Sequence, residues 1–391
     1  MINLPVNAQQ VIEKIEDAGY EAWAVGGCVR DLLIDRPIKD VDIASNASPE
    51  EIHKIFENVY DTGIKHGTVT VKHNGDFFEI TRFRIDGEYN DSRHPDTVSF
   101  TSNISDDLAR RDFTINAMAY NTKKGLLDAF DGVNDLKNQT IRCVGDADKR
   151  FNEDALRIMR CIRFSSQLGF DIEKETLKSA VNNAGLLKNI SAERIQKELF
   201  STLLGQNPDA LICLLNTNGL DILEITIIPE TLMPLTKLDR DITTVFSAFL
   251  LLCGCDDSAE AAENLKCSKK TKDDVRAILY DFNFSLCKTE LDIKRRLALY
   301  KDNFFRILDI RKNVLNEDTS FAELIAERTL KNNEPYCVSD LAVNGTDLKQ
   351  LNITQKQVGS VLNLLCDIVR EDPKKNTKEY LLMLAKEYSI H

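Results

Sequence analysis

The sequence predicts an α+β protein: a mixed sheet with helices in the amino-terminal part, followed by an all-helical carboxy-terminal half. Three observations carry that expectation. Strand signals crowd into the stretch before residue 130: an apolar run at Ala22–Val25, the alternation Asp40-Val41-Asp42-Ile43, and two alternating stretches at 67–73 and 76–83. The last two flank Asn74-Gly75, a dipeptide at ease in left-handed backbone and therefore a tight-hairpin signal. From residue 153 onward, apolar residues recur at helical spacing instead, in one amphipathic stretch after another.

Composition sets the outer limits. At 391 residues the chain has room for two or three domains, and its 43% hydrophobic and 29% charged residues describe an ordinary globular protein with an ample core. The longest apolar run, Val245–Cys253, falls far short of the ~20 residues of a membrane span, so no membrane partner is expected. Polar Asn7, Gln9 and Gln10 precede the first amphipathic helix, so no signal peptide is expected. Ten cysteines include no CxxC pair, and five histidines complete no zinc set with them. Reduced thiols and a cytoplasmic location fit that usage.

A net charge of −12 disfavours non-specific coating of long RNA but leaves room for one local cationic site. Arg142, Lys149, Arg150, Arg157, Arg160 and Arg163 form one basic concentration. Lys294, Arg295, Arg296 and Lys301 form a second, for which a solvated helix face is an equal reading.

Along the chain, Val11, Ile12, Ile15 and Ala18 make a helical stripe that Gly19 ends. After the Ala22–Val25 strand, Gly26-Gly27 predicts a turn into a short helix carrying Arg30 and Asp31. Without a Cβ the backbone approaches a phosphate closely, and a helix start offers free N–H groups. The next strand holds Asp40 and Asp42, which project from one face while Val41 and Ile43 pack on the other. Two carboxylates a pleat apart beside a glycine turn and an arginine suit a Mg²⁺–triphosphate site; acids facing water are the alternative.

Ser48-Pro49-Glu50-Glu51 reads as a capping box with proline at the first helical position. Glu79, in the second hairpin strand, is a candidate third carboxylate or a solvent-facing residue. Arg84–Phe100 is poor in apolar residues and reads as a mobile loop. Arg110–Thr114 then opens a segment, Ile115–Tyr120, expected to be helical. An arginine there, Arg111, can grip a triphosphate, and Asp112 can accept from a ribose hydroxyl. Asp128–Gly132 reads as a turn closing a first domain near residue 142.

Glu153–Phe170 is expected to be one helix ended by Gly169. Ala155, Ile158, Met159 and Ile162 line its apolar face, while Asp154, Arg157, Arg160 and Arg163 step by three along the other. Base chemistry gives that row a use. Adenine and cytosine each present an amino donor beside an unprotonated ring nitrogen, so a carboxylate and a guanidinium together complement them. Uracil and guanine invert both contacts and leave buried groups unpaired. In a base pocket Asp154 and Arg157 could thus favour adenine and cytosine without a template, with Arg160 and Arg163 meeting phosphates or bracing the pair; an ordinary solvated helix face is the alternative. Beyond Ser191 the pattern is wholly helical, with Asn344–Leu348 read as a turn between later helices.

The blocks GGCVRD (26–31), DVDIA (40–44), RRDFTINAMAY (110–120) and EDALRIMRCIRF (153–164) occur in an order that resembles the class II tRNA nucleotidyltransferase and bacterial poly(A) polymerase family, within the DNA polymerase β-like superfamily. The likeness is strong over roughly the first half of the chain and loose beyond it. It implies a nucleotidyltransferase head over 1–142 and a helical neck for base recognition over 143–205. A helical body over 206–315 and a tail over 316–391 would bind tRNA. It further implies that Asp40 and Asp42 are catalytic and hold two Mg²⁺ ions, and that Gly27, Arg30 and Arg111 position the triphosphate. Asp91, Arg93 and Pro95 stand in that family's DxRxP-like loop pattern, whose presence argues against enzymes that add only cytidines. The NGTDL turn (344–348) resembles the carboxy-terminal region of the Gram-positive type, and since no histidine precedes an aspartate the extra HD domain of longer relatives is not expected.

The implied activity is addition of CCA to tRNA from CTP and ATP, with release of pyrophosphate. The rivals are an A-adding enzyme, a bacterial poly(A) polymerase, and a non-catalytic RNA-binding protein on the same scaffold. The sequence admits a homodimer as well as a monomer.

Overall fold

The computed structural model describes residues 3–87, 98–255 and 258–388, and the chain forms two compact units that meet in sequence at Leu223/Glu224. In the first unit, α1 (Val6–Asp17) buries Ala8, Val11, Ile12 and Ile15, and β1 (Ala22–Val25) is buried at all four positions. Next come α2 (Gly27–Leu33), β2 (Asp42–Ser45) and α3 (Pro49–Ile55). The start of α3 is fixed by the expected reciprocal cap between Ser48 and Glu51. β3 (Val59–Gly63), β4 (Thr68–His73) and β5 (Asp76–Arg82) form a meander, and Asn74 and Gly75 take the positive φ of its tight turn.

β6 (Arg84–Asp86) and β7 (Val98–Phe100) pair with each other, and α4 (Ile104–Ala109) follows. β8 (Met118–Asn121) and β9 (Gly125–Asp128) complete a seven-stranded sheet in the order β3-β4-β5-β2-β1-β8-β9. Only the β2/β5 pair is parallel; every other neighbour is antiparallel. Trp23, Val25, Ala44, Phe83, Ile104, Leu108 and Ala119 form a core on one face. α5 (Gly132–Lys137), β10 (Thr140–Ile141) and α6 (Ala147–Glu153) lead into α7 (Leu156–Leu168), which Gly169 ends at φ 69°. β11 (Asp171–Ile172) pairs with β10, and α8 (Lys174–Asn182), α9 (Ala192–Leu203) and α10 (Ile212–Leu215) finish the unit.

The second unit is helical among its described residues: α11 (Ile242–Leu252), α12 (Ser258–Asn264), α13 (Lys269–Asp281), α14 (Glu290–Tyr300), α15 (Asp302–Asn313), α16 (Ser320–Lys331), α17 (Gly345–Gln350), α18 (Gln355–Glu371) and α19 (Lys378–Tyr388). Leu348, Leu365, Val369 and Leu381 anchor the core shared by its last three helices. No helix among the described residues is long and apolar enough to cross a membrane. The expected fold class, a mixed sheet with helices and then an all-helical half, is what the chain adopts.

Four local expectations need correcting. Ile115–Tyr120 is not helical: Thr114–Asn116 form one 3₁₀ turn and Met118–Asn121 form β8. The segment is buried all round between β1 and β9, and a short apolar run of that kind carries no period to tell strand from helix. Glu153–Phe170 is two helices, because Asp154 takes extended backbone (φ −141°, ψ 103°) between α6 and α7. The ends of the expected 84–100 loop are the paired strands β6 and β7; Asp91, Arg93 and Pro95 lie outside the described residues. Asn344–Leu348 is a helix start, with Asn344 and Asp347 capping α17 reciprocally.

Candidate active site

The described strand begins at Asp42, so Asp40 sits on the segment leading into β2. The expected alternation nevertheless holds across both: Val41 and Ile43 are buried, while Asp40 and Asp42 are accessible. Glu79 stands directly opposite Asp42 in the parallel β2/β5 register and faces solvent as well. Asp42 is open to solvent yet lines a concave cleft. Desolvation there raises its carboxyl, Arg111 counters, and Asp40 adds a further push upward. Desolvation followed by the charge of Asp42 raises Glu79 in turn. Asp42 and Glu79, raised first by desolvation and then by neighbouring carboxylate charge, are donors that a divalent cation would relieve. Among the described residues no three or more His, Cys, Asp or Glu side chains converge as a closed metal cluster. The fit is therefore to an ion shared with phosphate oxygens rather than caged by protein.

The cleft beside Asp42 encloses about 450 Å³, and it gathers residues from α2, β2, α7 and α9 together with the turn before α2, the segment from Arg110 to Asn116 and the break at Asp154. Of the residues expected to act together, Gly27, Arg30, Asp42, Arg111, Asp154, Arg157, Arg160 and Arg163 all line it; Asp40 does not. Gly26 has φ 75°, a left-handed conformation that favours glycine, and a Cβ there would stand 2.8 Å from the mobile end of Arg111, at Nη1. Arg30 is tethered by Nη1 to Asn116 Oδ1 at 2.8 Å.

Seven arginines line this cleft, and every one has a carboxylate partner. Arg30 meets Asp31 at 2.8 Å, while Arg110 and Arg111 share buried Asp107 at 2.8 and 3.1 Å. Arg160 Nε donates to Asp112 at 2.8 Å, and Arg163 pairs with Glu198 at 2.5 Å. Arg157 bonds Glu153 at 2.5 Å and the carbonyls of Arg150 and Arg110 at 3.1 Å each. Asp154 is held by Arg194 at 3.1 Å. The expected contact between Asp154 and Arg157 along one helix face is thus replaced by two separate pairs. The physical reason is the break at Asp154, which takes it off the α7 row.

Burial works to raise the Asp112 carboxyl, but the Arg160 charge and hydrogen bonds outweigh it and hold the group down at about 2. Asp112 also accepts from the Phe113 N–H at 2.8 Å and from Asn116 at 3.3 Å, so it braces the site from within. The floor is Phe164, whose ring lies 5.2, 5.3 and 4.1 Å from the guanidinium carbons of Arg30, Arg160 and Arg163. Phe113 meets that ring edge-on at 5.8 Å and is fully buried; truncating it would cost ~3–5 kcal/mol and loosen the floor.

Two guanidinium nitrogens, Arg111 Nε and Arg194 Nη1, lie buried with no hydrogen-bond partner among the described residues. Sequence reasoning assigned no role to Arg110, Asn116, Phe164 or Arg194. A buried asparagine inside an apolar run was the one legible signal, and it was masked by reading that run as a helix.

The second basic concentration is not one accessible patch: Lys301 is exposed and Arg295 half-exposed, whereas Lys294 is buried. Lys294 is 1% exposed and bonds Glu290, Glu334 and the Arg370 carbonyl at 2.8, 2.9 and 2.8 Å. Arg295 pairs with Asp367 and Arg296 with Asp281, each at 2.8 Å. It is not a solvated face at Lys294 either, since that ammonium is sealed inside the helical unit.

Comparison with known proteins converges on the same reading. A family model described as the poly A polymerase head domain matches residues 22–142, and one described as a probable RNA and SrmB-binding site of polymerase A matches 169–223. A CCA-adding enzyme of Lactobacillus delbrueckii subsp. bulgaricus is 54% identical over 200 residues, which is 51% of this chain and 50% of that protein. One from Pediococcus pentosaceus is 52% identical over 203 residues, 52% of this chain and 51% of that one. The chain thus matches about half the length of these curated relatives. The crystal structure of the Bacillus stearothermophilus CCA-adding enzyme in complex with CTP is 30% identical with a TM-score of 0.83, covering 98% of this chain and 97% of that one. A Thermotoga maritima CCA-adding enzyme complexed with tRNA shares the fold at 20% identity and a TM-score of 0.70, over 98% and 94%. From its ordered motifs, its head fold and a likeness that runs the length of a CCA-adding enzyme, the chain belongs to the tRNA nucleotidyltransferase and poly(A) polymerase family.

Proposed function

We propose that the protein adds the 3′-terminal CCA sequence to tRNA from CTP and ATP without a template, releasing pyrophosphate. The observation that carries this reading is one cleft in which an accessible Asp42, the Gly26–Gly27 turn, a ring of arginines and the pair Asp154 and Arg157 stand together. Asp40 and Asp42 are the catalytic residues and would hold Mg²⁺, which when bound supplies Lewis-acid activation of the RNA 3′-hydroxyl and charge neutralisation on the leaving pyrophosphate. Arg111, with a buried donor unpaired, and Arg30, fixed by Asn116, orient the triphosphate. Gly27 keeps the backbone low enough for phosphate to approach.

Asp154 accepts from the amino group of adenine or cytosine, and Arg157 donates to the adjacent ring nitrogen. Arg157 is already bound to Glu153 and two carbonyls, which aligns its fork in advance of the base. Arg160 and Arg163, stacked around Phe164, brace the base-reading pair and face the phosphates. The head, 1–142, performs the transfer, and the neck, 143–205, reads the base. The body, 206–315, and tail, 316–391, grip tRNA by shape and backbone. The protein's ten cysteines are all free thiols, Cys143 and Cys253 each pushed up to about 12 by burial, which suits a cytoplasmic setting.

The test is incorporation on tRNA transcripts ending at the discriminator base, in CC and in CCA. With Mg²⁺, CTP and ATP the first should gain three nucleotides and the second one, and the third none. Extension of the CC transcript alone would mean an A-adding enzyme. Unlimited adenosine addition would mean a poly(A) polymerase, and tight tRNA binding without incorporation a decayed scaffold. Asp154→Ala and Arg157→Ala should relax discrimination against UTP and GTP; unchanged selectivity in both would move base recognition elsewhere.

A further inference from the structure

Asp154 is the one base-reading group whose setting the helix pattern does not explain, since it sits in the break between α6 and α7. Its Oδ1 accepts from the Leu156 N–H at 3.1 Å, and both its oxygens lie within reach of Arg194 Nη2, at 3.4 and 3.1 Å. Arg194 comes from the first turn of α9, and one turn further along the same helix Glu198 takes Arg163 of α7 at 2.5 Å. So α9 touches the site at two points, and one of them is the carboxylate proposed to read the base. Arg194 also lines the cleft itself, and its Nη1 is buried without a hydrogen-bond partner among the described residues.

We infer that Arg194 is a specificity-determining positioning residue, fixing the Asp154 carboxylate in the orientation that accepts from the amino group of adenine or cytosine. The inference rests on the base-reading role proposed above for Asp154. A fixed acceptor meets the carbonyl of uracil or guanine head-on and rejects it. An acceptor free to rotate swings aside and tolerates the mismatch, so loss of Arg194 weakens selection more than it slows the transfer.

The experiment compares Arg194→Ala, Arg194→Lys, Asp154→Ala and the double variant, full-length, for single-nucleotide incorporation of CTP, ATP, UTP and GTP into tRNA ending at the discriminator base and in CC. For Arg194→Ala, KM for the correct nucleotide should rise on the order of tenfold, the scale of one lost charge-assisted hydrogen bond, with kcat nearly kept. Discrimination against UTP should fall in parallel. Arg194→Lys should restore part of it, and the double variant should be no worse than Asp154→Ala, because the two residues act as one unit.

Relaxed discrimination in Asp154→Ala beside unchanged discrimination in Arg194→Ala would overturn the inference alone. So would an additive double variant. Unchanged discrimination in Asp154→Ala would overturn the base-reading proposal, and this inference with it. Should the alanine variant fail to fold, as a thermal melt would reveal, Arg194→Gln keeps the length and a donor while removing the charge and is judged by the same KM and discrimination readouts.

Discussion

Two clusters of cations, similar in sequence, have opposite fates. Around α7, Arg157, Arg160 and Arg163 are each tied to an acid yet line a cleft of about 450 Å³ where two guanidinium nitrogens remain unsatisfied. Around α14, Lys294, Arg295 and Arg296 are tied to acids too, but Lys294 is 1% exposed and has its bonds inside the protein. Pairing with a carboxylate therefore does not separate a binding arginine from a structural one. What separates them is whether the pair borders a cleft. Buried ion pairs are weak stabilisers against a hydrophobic replacement, but breaking one is costly because a charge is stranded.

That contrast can be broken by experiment, beginning with the largest effect. Asp42→Ala should reduce nucleotide incorporation by about 10³-fold or more while leaving the melting temperature and tRNA binding near wild type. Turnover at the native rate would remove the metal-site reading altogether. Chelation of divalent cations should produce the same loss, reversed by added Mg²⁺.

Next, Lys294→Ala should cost on the order of 3 kcal/mol of stability, measured by urea unfolding, because the Arg370 carbonyl loses its buried donor and Glu290 and Glu334 keep only Arg328. Nucleotide KM values of the folded fraction should not move; if they do, the second cluster belongs to the site after all.

Asp112→Asn should cost about 2 kcal/mol, the linkage worth of a carboxyl held at about 2 against an ordinary 3.8. The pH dependence follows from the sign of that shift. A folded value below the unfolded one stabilises fully above pH 3.8, and that contribution fades as pH falls from 3.8 through about 2. Wild-type stability should therefore drop more steeply than that of Asp112→Asn across this window, and parallel curves would show that Asp112 is not the acid-sensitive brace. Smallest of all, Arg295→Ala should change stability by no more than ~0.5 kcal/mol, since its pair with Asp367 is half-exposed. A loss as large as that of Lys294, its neighbour in sequence, would erase the distinction between sealed and exposed pairs.

Much of the site was legible before the structure. The Gly26–Gly27 turn, the alternation around Asp42, the hairpin at Asn74-Gly75 and the cap at Ser48 are local events, written in residue types and spacings of one to four positions. Asp154 illustrates the limit. Its spacing to Arg157 suggested one helix row, but the chain breaks there and gives each residue a different partner. β8 fails for a related reason: a strand buried on both faces shows no alternation, so its apolar run passes for a helix.

The sequence alone determined the α+β class, the order of head and helices, and many of the acids and arginines that line the cleft, though not Arg110 or Arg194, because periodicity, turn preference and ordered motifs are short-range properties of the chain. Only the tertiary structure decided that Arg194 and Glu198 reach α7 from α9, that Asp112 braces Arg160, and that Lys294 is sealed away from solvent. Those partnerships join residues 35 to 48 positions apart, or bury a charge that its neighbours in sequence leave exposed. The free energy that fixes them is desolvation and pairing in three dimensions, and no spacing along the chain encodes it.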